Sequence, residues 1–249
     1  MSRGTTPACA ALPGEHGLAL VVAVLSLLTA TTMALLLARG STPTEADASV
    51  RAAVADVWSD PYPSALVVDW FGSPEALLAQ TAILVAVCLM MGRVGIALVA
   101  TLAPWGVAAV TTAVKPLIDR TIHAPQNLAF PSGHTAVTTA VALVIGLLVA
   151  DLLGAWCRGR RALVALVFGC VGGSAMATAQ IALNAHYPSD CLGGFVTAVS
   201  VVLFVVVLVD RAAMSVTDKK LSTSREVRGR PAAGGRSRAS DVATESDGP

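Results

Sequence analysis

The sequence predicts an all-α, polytopic membrane protein with six transmembrane helices, and three observations carry that expectation. Of 249 residues 55 % are apolar and only 13 % charged. Mean hydropathy is +0.70, well above that of soluble domains. The apolar residues also gather into six runs long enough to cross a hydrocarbon core, which takes about 20 residues of helix. A formal net charge of +1 gives no polyelectrolyte character, so nucleic acid is not an expected partner. The five cysteines, Cys9, Cys88, Cys157, Cys170 and Cys191, are scattered through apolar sequence. They form neither a disulfide framework nor a thiolate zinc site and read as small packing residues.

The first run, Gly17 to Ala38, has 22 residues; that is too long for a typical cleaved signal, so it is read as a retained helix. The second, Ala76 to Met91, is short, and the third, Val94 to Val114, carries Pro104 mid-span as a possible kink site. Both features are tolerated where neighbouring helices satisfy the backbone. The remaining runs are Thr135 to Ala155, Ala162 to Leu183 and Cys191 to Val209. No internal repeat is visible. The loop between the first two runs holds Glu45, Asp47, Asp56, Asp60 and Asp69 together with Trp58, Tyr62, Trp70 and Phe71. Those aromatics suit either the headgroup level or packing within the loop. Past Asp210 the composition turns to Ser, Arg, Gly and Ala, so residues 1–210 read as the membrane domain and 211–249 as a disordered basic tail.

Basic residues set the orientation. With the N-terminus cytoplasmic, Arg3, Arg93, Arg158, Arg160, Arg161 and the basic residues of the tail lie inside, and only Arg39, Arg51, Lys115 and Arg120 lie outside. This is the bias expected of a multi-pass protein of the cell membrane with both termini cytoplasmic.

Three chemistry-bearing segments then fall on the outer side: Lys115-Pro-Leu-Ile-Asp-Arg120, Pro131-Ser-Gly-His134 and His186-Tyr-Pro-Ser-Asp190. Ser132 and Gly133 directly before an apolar helix place free backbone N–H groups and the positive end of a helix dipole beside a hydroxyl, which suits phosphate. Ser132 also has the chemistry of an N-cap. Lys115 and Arg120 offer a point charge and a planar fork, both partners for phosphate oxygens. The four-residue spacing of His186 and Asp190 lets a carboxylate hold one imidazole nitrogen and leave the other as a nucleophile or base, with His134 as the opposing acid. His123, His134, His186, Asp119 and Asp190 lack a metal-ligand spacing and sit among cations, so neither a metal nor another cofactor is expected. Asn127 and Asn184 read as loop and helix-end residues, and His16 lies on the other side.

These motifs resemble the signatures K-x6-R-P, P-S-G-H and S-R-x5-H-x3-D of the type 2 phosphatidic acid phosphatase superfamily, over residues 115–194. The resemblance implies a six-helix bundle and a metal-independent mechanism. His186 would attack phosphorus and become a phosphohistidine, Asp190 would orient it, and His134 would protonate the leaving oxygen. Lys115, the Ser132 hydroxyl and the Gly133 N–H would hold the non-bridging oxygens. Two family arginines are missing: Ile122 and His123 stand where R-P is expected, and Ala179-Gln180 where S-R is expected. Arg120 is close enough to fill the first vacancy, while Gln180 offers an amide donor without charge. The function expected is therefore hydrolysis of a lipid phosphomonoester or diphosphate, with phosphatidic acid, phosphatidylglycerol phosphate and polyprenyl diphosphate as candidates. Membrane lipids are the expected partners. An impaired relative that binds lipid phosphate or a membrane partner is the alternative, resting on Ile122 and Gln180. A secondary transporter fits less well, because the polar groups gather at helix ends rather than at the midplane.

Overall fold

The computed structural model describes residues 11–12, 14–57, 62–154 and 160–229. Arg3, Cys9, Trp58, Asp60, Cys157, Arg158 and the last twenty residues of the expected tail lie outside them. Eight helices are described: α1 (His16–Leu37), α2 (Glu45–Val57), α3 (Tyr62–Trp70), α4 (Pro74–Met90), α5 (Val94–Ile118), α6 (Gly133–Leu152), α7 (Arg161–Ala182) and α8 (Pro188–Gly229). Two short strands, β1 (Thr121–Ile122) and β2 (Ala124–Leu128), pair antiparallel between α5 and α6. Five helices are long and apolar enough to cross a membrane, and the pair Pro63–Trp70 and Pro74–Met90, bent by 56°, makes a sixth as one span. The chain is thus an all-α, multi-pass membrane protein.

The short second run gains its length from that bend. Gly72 and Ser73 separate α3 from α4; the Ser73 hydroxyl accepts the Ala76 N–H at 3.2 Å, and Pro74 opens the helix where no N–H is needed. The polar loop before it is also more ordered than its composition suggests. Thr44 and Asp47 cap α2 reciprocally, with the Asp47 N–H on Thr44 Oγ1 at 3.1 Å and the Thr44 N–H on Asp47 Oδ2 at 3.0 Å. Pro104 lies inside α5 without ending it. Beyond Asp210 the chain remains helical to Gly229, where disorder is expected from sequence; Ala212, Ala213, Met214 and Leu221 favour helix and no Gly or Pro intervenes.

Small residues let α6 and α7 approach closely, as membrane helices require. A Cβ on Gly146 would come within 2.7 Å of the Ala165 backbone, and one on Gly172 within 2.7 Å of Ala142. Leu143, Val144 and Leu147 of α6 bury against Val99, Ala103 and Val107 of α5 and Val199, Val202 and Leu203 of α8. Outward, Leu18, Leu25, Leu28, Leu102, Leu163, Val171 and Leu208 are exposed, a surface that needs hydrocarbon around it. Cys88, Cys170 and Cys191 are free thiols.

One end of the bundle is closed by ion pairs. Asp151 meets Arg93 at 2.7 Å and Arg161 at 3.0 Å. Glu15 accepts the first N–H groups of α7, from Arg161 and Ala162, each at 3.0 Å. Asp210 accepts the Ala11 and Leu12 N–H groups and pairs with His16 at 3.0 Å. The start of α6 and the end of α5 lie at the opposite end.

Candidate active site

At that opposite end the chain must bring α8 against the entry of α6, and two glycines allow it. A side chain on Gly193 would collide with the Phe130 ring, and one on Gly194 with the Ser132 carbonyl. With only hydrogens there, the Ser132 N–H donates to the Asp190 carbonyl at 2.9 Å. Ser132 is fully buried. Its hydroxyl lies 3.1 Å from Thr135 Oγ1 and accepts the Thr135 N–H at 3.4 Å, so it caps α6.

His186, on the turn before α8, is 9 % exposed. Its Nδ1 is 3.8 Å from Asp190 Oδ2 and has no hydrogen-bond partner. Asp190 is wholly buried; Oδ2 accepts the Tyr187 N–H at 3.0 Å and Oδ1 accepts Arg120 Nη1 at 2.6 Å. The carboxylate is therefore fixed from two sides, and the imidazole nitrogen nearest it is Nδ1.

His134, at the first turn of α6, is partly exposed. Its Nε2 lies 3.7 Å from Asp69 Oδ1. A Cβ on Gly72 would come within 2.6 Å of its ring, so the bend between α3 and α4 packs directly against the His134 side chain. The Ser132 N–H and Arg120 Nη1 both reach Asp190, at 2.9 and 2.6 Å, so the three chemistry-bearing segments meet at this end. Lys115 in the last turn of α5 is half-buried, donates to the Leu128 carbonyl at 3.1 Å and feels the charge of Asp190.

The remaining two expected phosphate ligands are engaged elsewhere. Arg120 is 1 % exposed. Besides Asp190 it reaches Ser189 Oγ at 2.7 Å and Asp47 Oδ2 at 3.0 Å, and its guanidinium lies 4.7 Å over the Tyr187 ring. It ties the Asp47 and Asp190 carboxylates together in the interior. Gln180 is 1 % exposed, and its amide donates to Asp69 Oδ1. Ile122, at the vacant arginine position, packs with Ala129 and Tyr187. His123 points its Nε2 to the Asn184 carbonyl at 2.7 Å. Among the described residues no three His, Cys, Asp or Glu side chains converge as metal ligands.

Sequence reasoning missed Asp47 and Asp69. Asp69 had a readable signal, since a carboxylate inside the apolar stretch from Ala65 to Phe71 is costly without a task. Asp47 had only its capping pattern with Thr44. Burial would push its carboxyl up, but hydrogen bonds from the Thr44 and Ser189 N–H groups and hydroxyls outweigh it and hold Asp47 below its ordinary value.

A multi-pass helical bundle with two histidines, a lysine and a capped helix entry at one end defines the class of protein. The PAP2 superfamily model matches residues 18–214, and the chain belongs to that family. Among solved structures it resembles a transmembrane PAP2-type phosphatidylglycerolphosphate phosphatase from Bacillus subtilis, with a TM-score of 0.56 at 20 % identity over 74 % of this chain and 93 % of that one. None of the curated proteins matches the sequence.

Proposed function

We propose that the chain is an integral membrane phosphatase that hydrolyses a lipid phosphomonoester or diphosphate through a phosphohistidine. The observation that carries this reading is the capped entry of α6, with His134 in its first turn, hydrogen-bonded through the Ser132 N–H to Asp190, whose carboxylate lies 3.8 Å from His186 Nδ1. His186 Nε2 attacks phosphorus, Asp190 holds the opposite edge of the ring, and the P–O bond to the lipid breaks as His134 gives its proton to the departing oxygen. A water then attacks the phosphohistidine, returns a proton to His134 and releases inorganic phosphate. Lys115 and the Gly133 N–H offset charge on the non-bridging oxygens. A site at the end of apolar helices favours an amphiphile whose tail stays in lipid. The bias of basic residues supports an orientation with this end outside the cell membrane and both termini in the cytoplasm.

The test is phosphate release from phosphatidic acid, phosphatidylglycerol phosphate and polyprenyl diphosphate by the purified full chain, with and without vanadate. Release that vanadate blocks and His186→Ala abolishes supports the reading; release equal to the His186→Ala control from every lipid rejects it. One observation favours a second reading, a lipid-phosphate binder without turnover: Arg120 is committed to Asp47 and Asp190, and Gln180 to Asp69. Saturable retention of a lipid phosphate without release of inorganic phosphate would select it.

A further inference from the structure

We propose that Asp47 and Arg120 are positioning residues for the His186 nucleophile and that Arg120 is not a phosphate ligand. The proposal rests on the phosphate-site reading above. Asp47 lies on α2, a helix that contributes nothing to the three signature segments, yet it is 1 % exposed. It accepts Arg120 Nη2 at 3.0 Å, the Ser189 N–H at 2.8 Å and the Ser189 hydroxyl at 2.9 Å. Arg120 Nη1 in turn donates to Ser189 Oγ at 2.7 Å and to Asp190 Oδ1 at 2.6 Å. Asp47, Arg120 and Ser189 thus close a ring beneath the first turn of α8, and one corner of it grips the carboxylate that faces His186 Nδ1.

A planar guanidinium can hold two carboxylates at fixed angles, which an ammonium cannot. Two buried carboxylates next to one another would repel without it, so Arg120 also lets Asp47 and Asp190 share this space ionised. The consequence is that α2 sets the rotation of Asp190 and, through it, the direction in which His186 Nε2 points. A phosphate approaching Lys115 and the Gly133 N–H would not meet Arg120, because the guanidinium is 1 % exposed and is stacked against the Tyr187 ring.

The test compares two anions on the full chain in lipid nanodiscs. Vanadate, which completes its coordination with the nucleophilic nitrogen, needs an aimed His186; inorganic phosphate needs only the oxygen ligands. Asp47→Asn and Arg120→Lys are expected to weaken vanadate binding about tenfold while phosphate binding changes by less than about twofold, and the double variant is expected to lose no more than about twofold beyond either single one. Equal loss for both anions would make Arg120 a phosphate ligand and overturn the proposal; no loss for either would make the ring purely structural and overturn it as well. If Asp47→Asn does not fold, Ser189→Ala removes only the bridging hydroxyl, with about threefold selective loss of vanadate expected. Phosphate release measured in parallel separates the two ideas. Wild-type protein that binds vanadate selectively and releases nothing from lipid phosphates fails the phosphatase reading and leaves the anion comparison decisive for the ring. Wild-type protein that binds neither anion overturns both.

Discussion

The two ends of the bundle each carry a histidine beside a buried aspartate, and they differ in what else is present. At one end His16 Nε2 sits 3.0 Å from Asp210, whose oxygens also take two backbone N–H groups. Nearby, Asp151 pairs with Arg93 and Arg161, and Glu15 caps α7. These charges hold chain segments together. At the other end His186 Nδ1 lies 3.8 Å from Asp190 without a hydrogen bond, while a second histidine faces Asp69 at 3.7 Å and a lysine sits in the last turn of α5. A His–Asp pair is therefore not a site by itself; the helix entry at Ser132, the partly exposed His134 and Lys115 make the difference.

The sharpest way to break this comparison is to remove each histidine in turn. His186→Ala is expected to lower phosphate release by at least about 1,000-fold, whereas His16→Ala stays within about threefold and costs about 1 kcal/mol of stability. Similar losses in the two variants would erase the distinction between the ends. The arginines sharpen it further in thermal or denaturant unfolding. Arg120→Met leaves two buried carboxylates without their counter-charge and should cost about 3–5 kcal/mol, against about 1 kcal/mol or less for Arg93→Met, whose side chain is 38 % exposed.

Asp69→Asn is expected to lower kcat about tenfold, since it removes the charge that faces His134 and leaves Gln180 only a neutral, weaker acceptor. Gln180→Arg would pair with Asp69 and leave inorganic phosphate affinity unchanged; a gain in affinity would show that the arginine reaches the phosphate instead. The smallest effect concerns acid. Asp47 titrates below its ordinary value in the folded chain, so its contribution to stability is full above about pH 3.9 and is lost as pH falls through the lower folded value. Asp47→Asn should flatten the stability profile below about pH 4 and leave a constant deficit above it.

The spans were legible because hydropathy needs no tertiary information, and Pro131 to His134 and His186 to Asp190 were legible because their geometry is local. Two things were not. The bend at Gly72 and Ser73, which completes the second span, depends on packing against the His134 ring. The fate of Arg120 depends on Asp47, 73 residues away in sequence: its charge suggested a phosphate ligand, and only the fold shows two carboxylates already holding it. Gln180 is similar, an amide whose partner on α3 no spacing rule connects to it.

The most direct measurement is an alkaline quench of the protein after brief reaction with a lipid phosphate radiolabelled at phosphorus, followed by peptide mapping under basic conditions. Label on the His186 peptide that is base-stable, acid-labile and absent from His186→Ala is the result expected for a phosphohistidine. Continued release of phosphate by His186→Ala, or label on a different residue, would contradict the assignment of the nucleophile and with it the account of this end of the bundle.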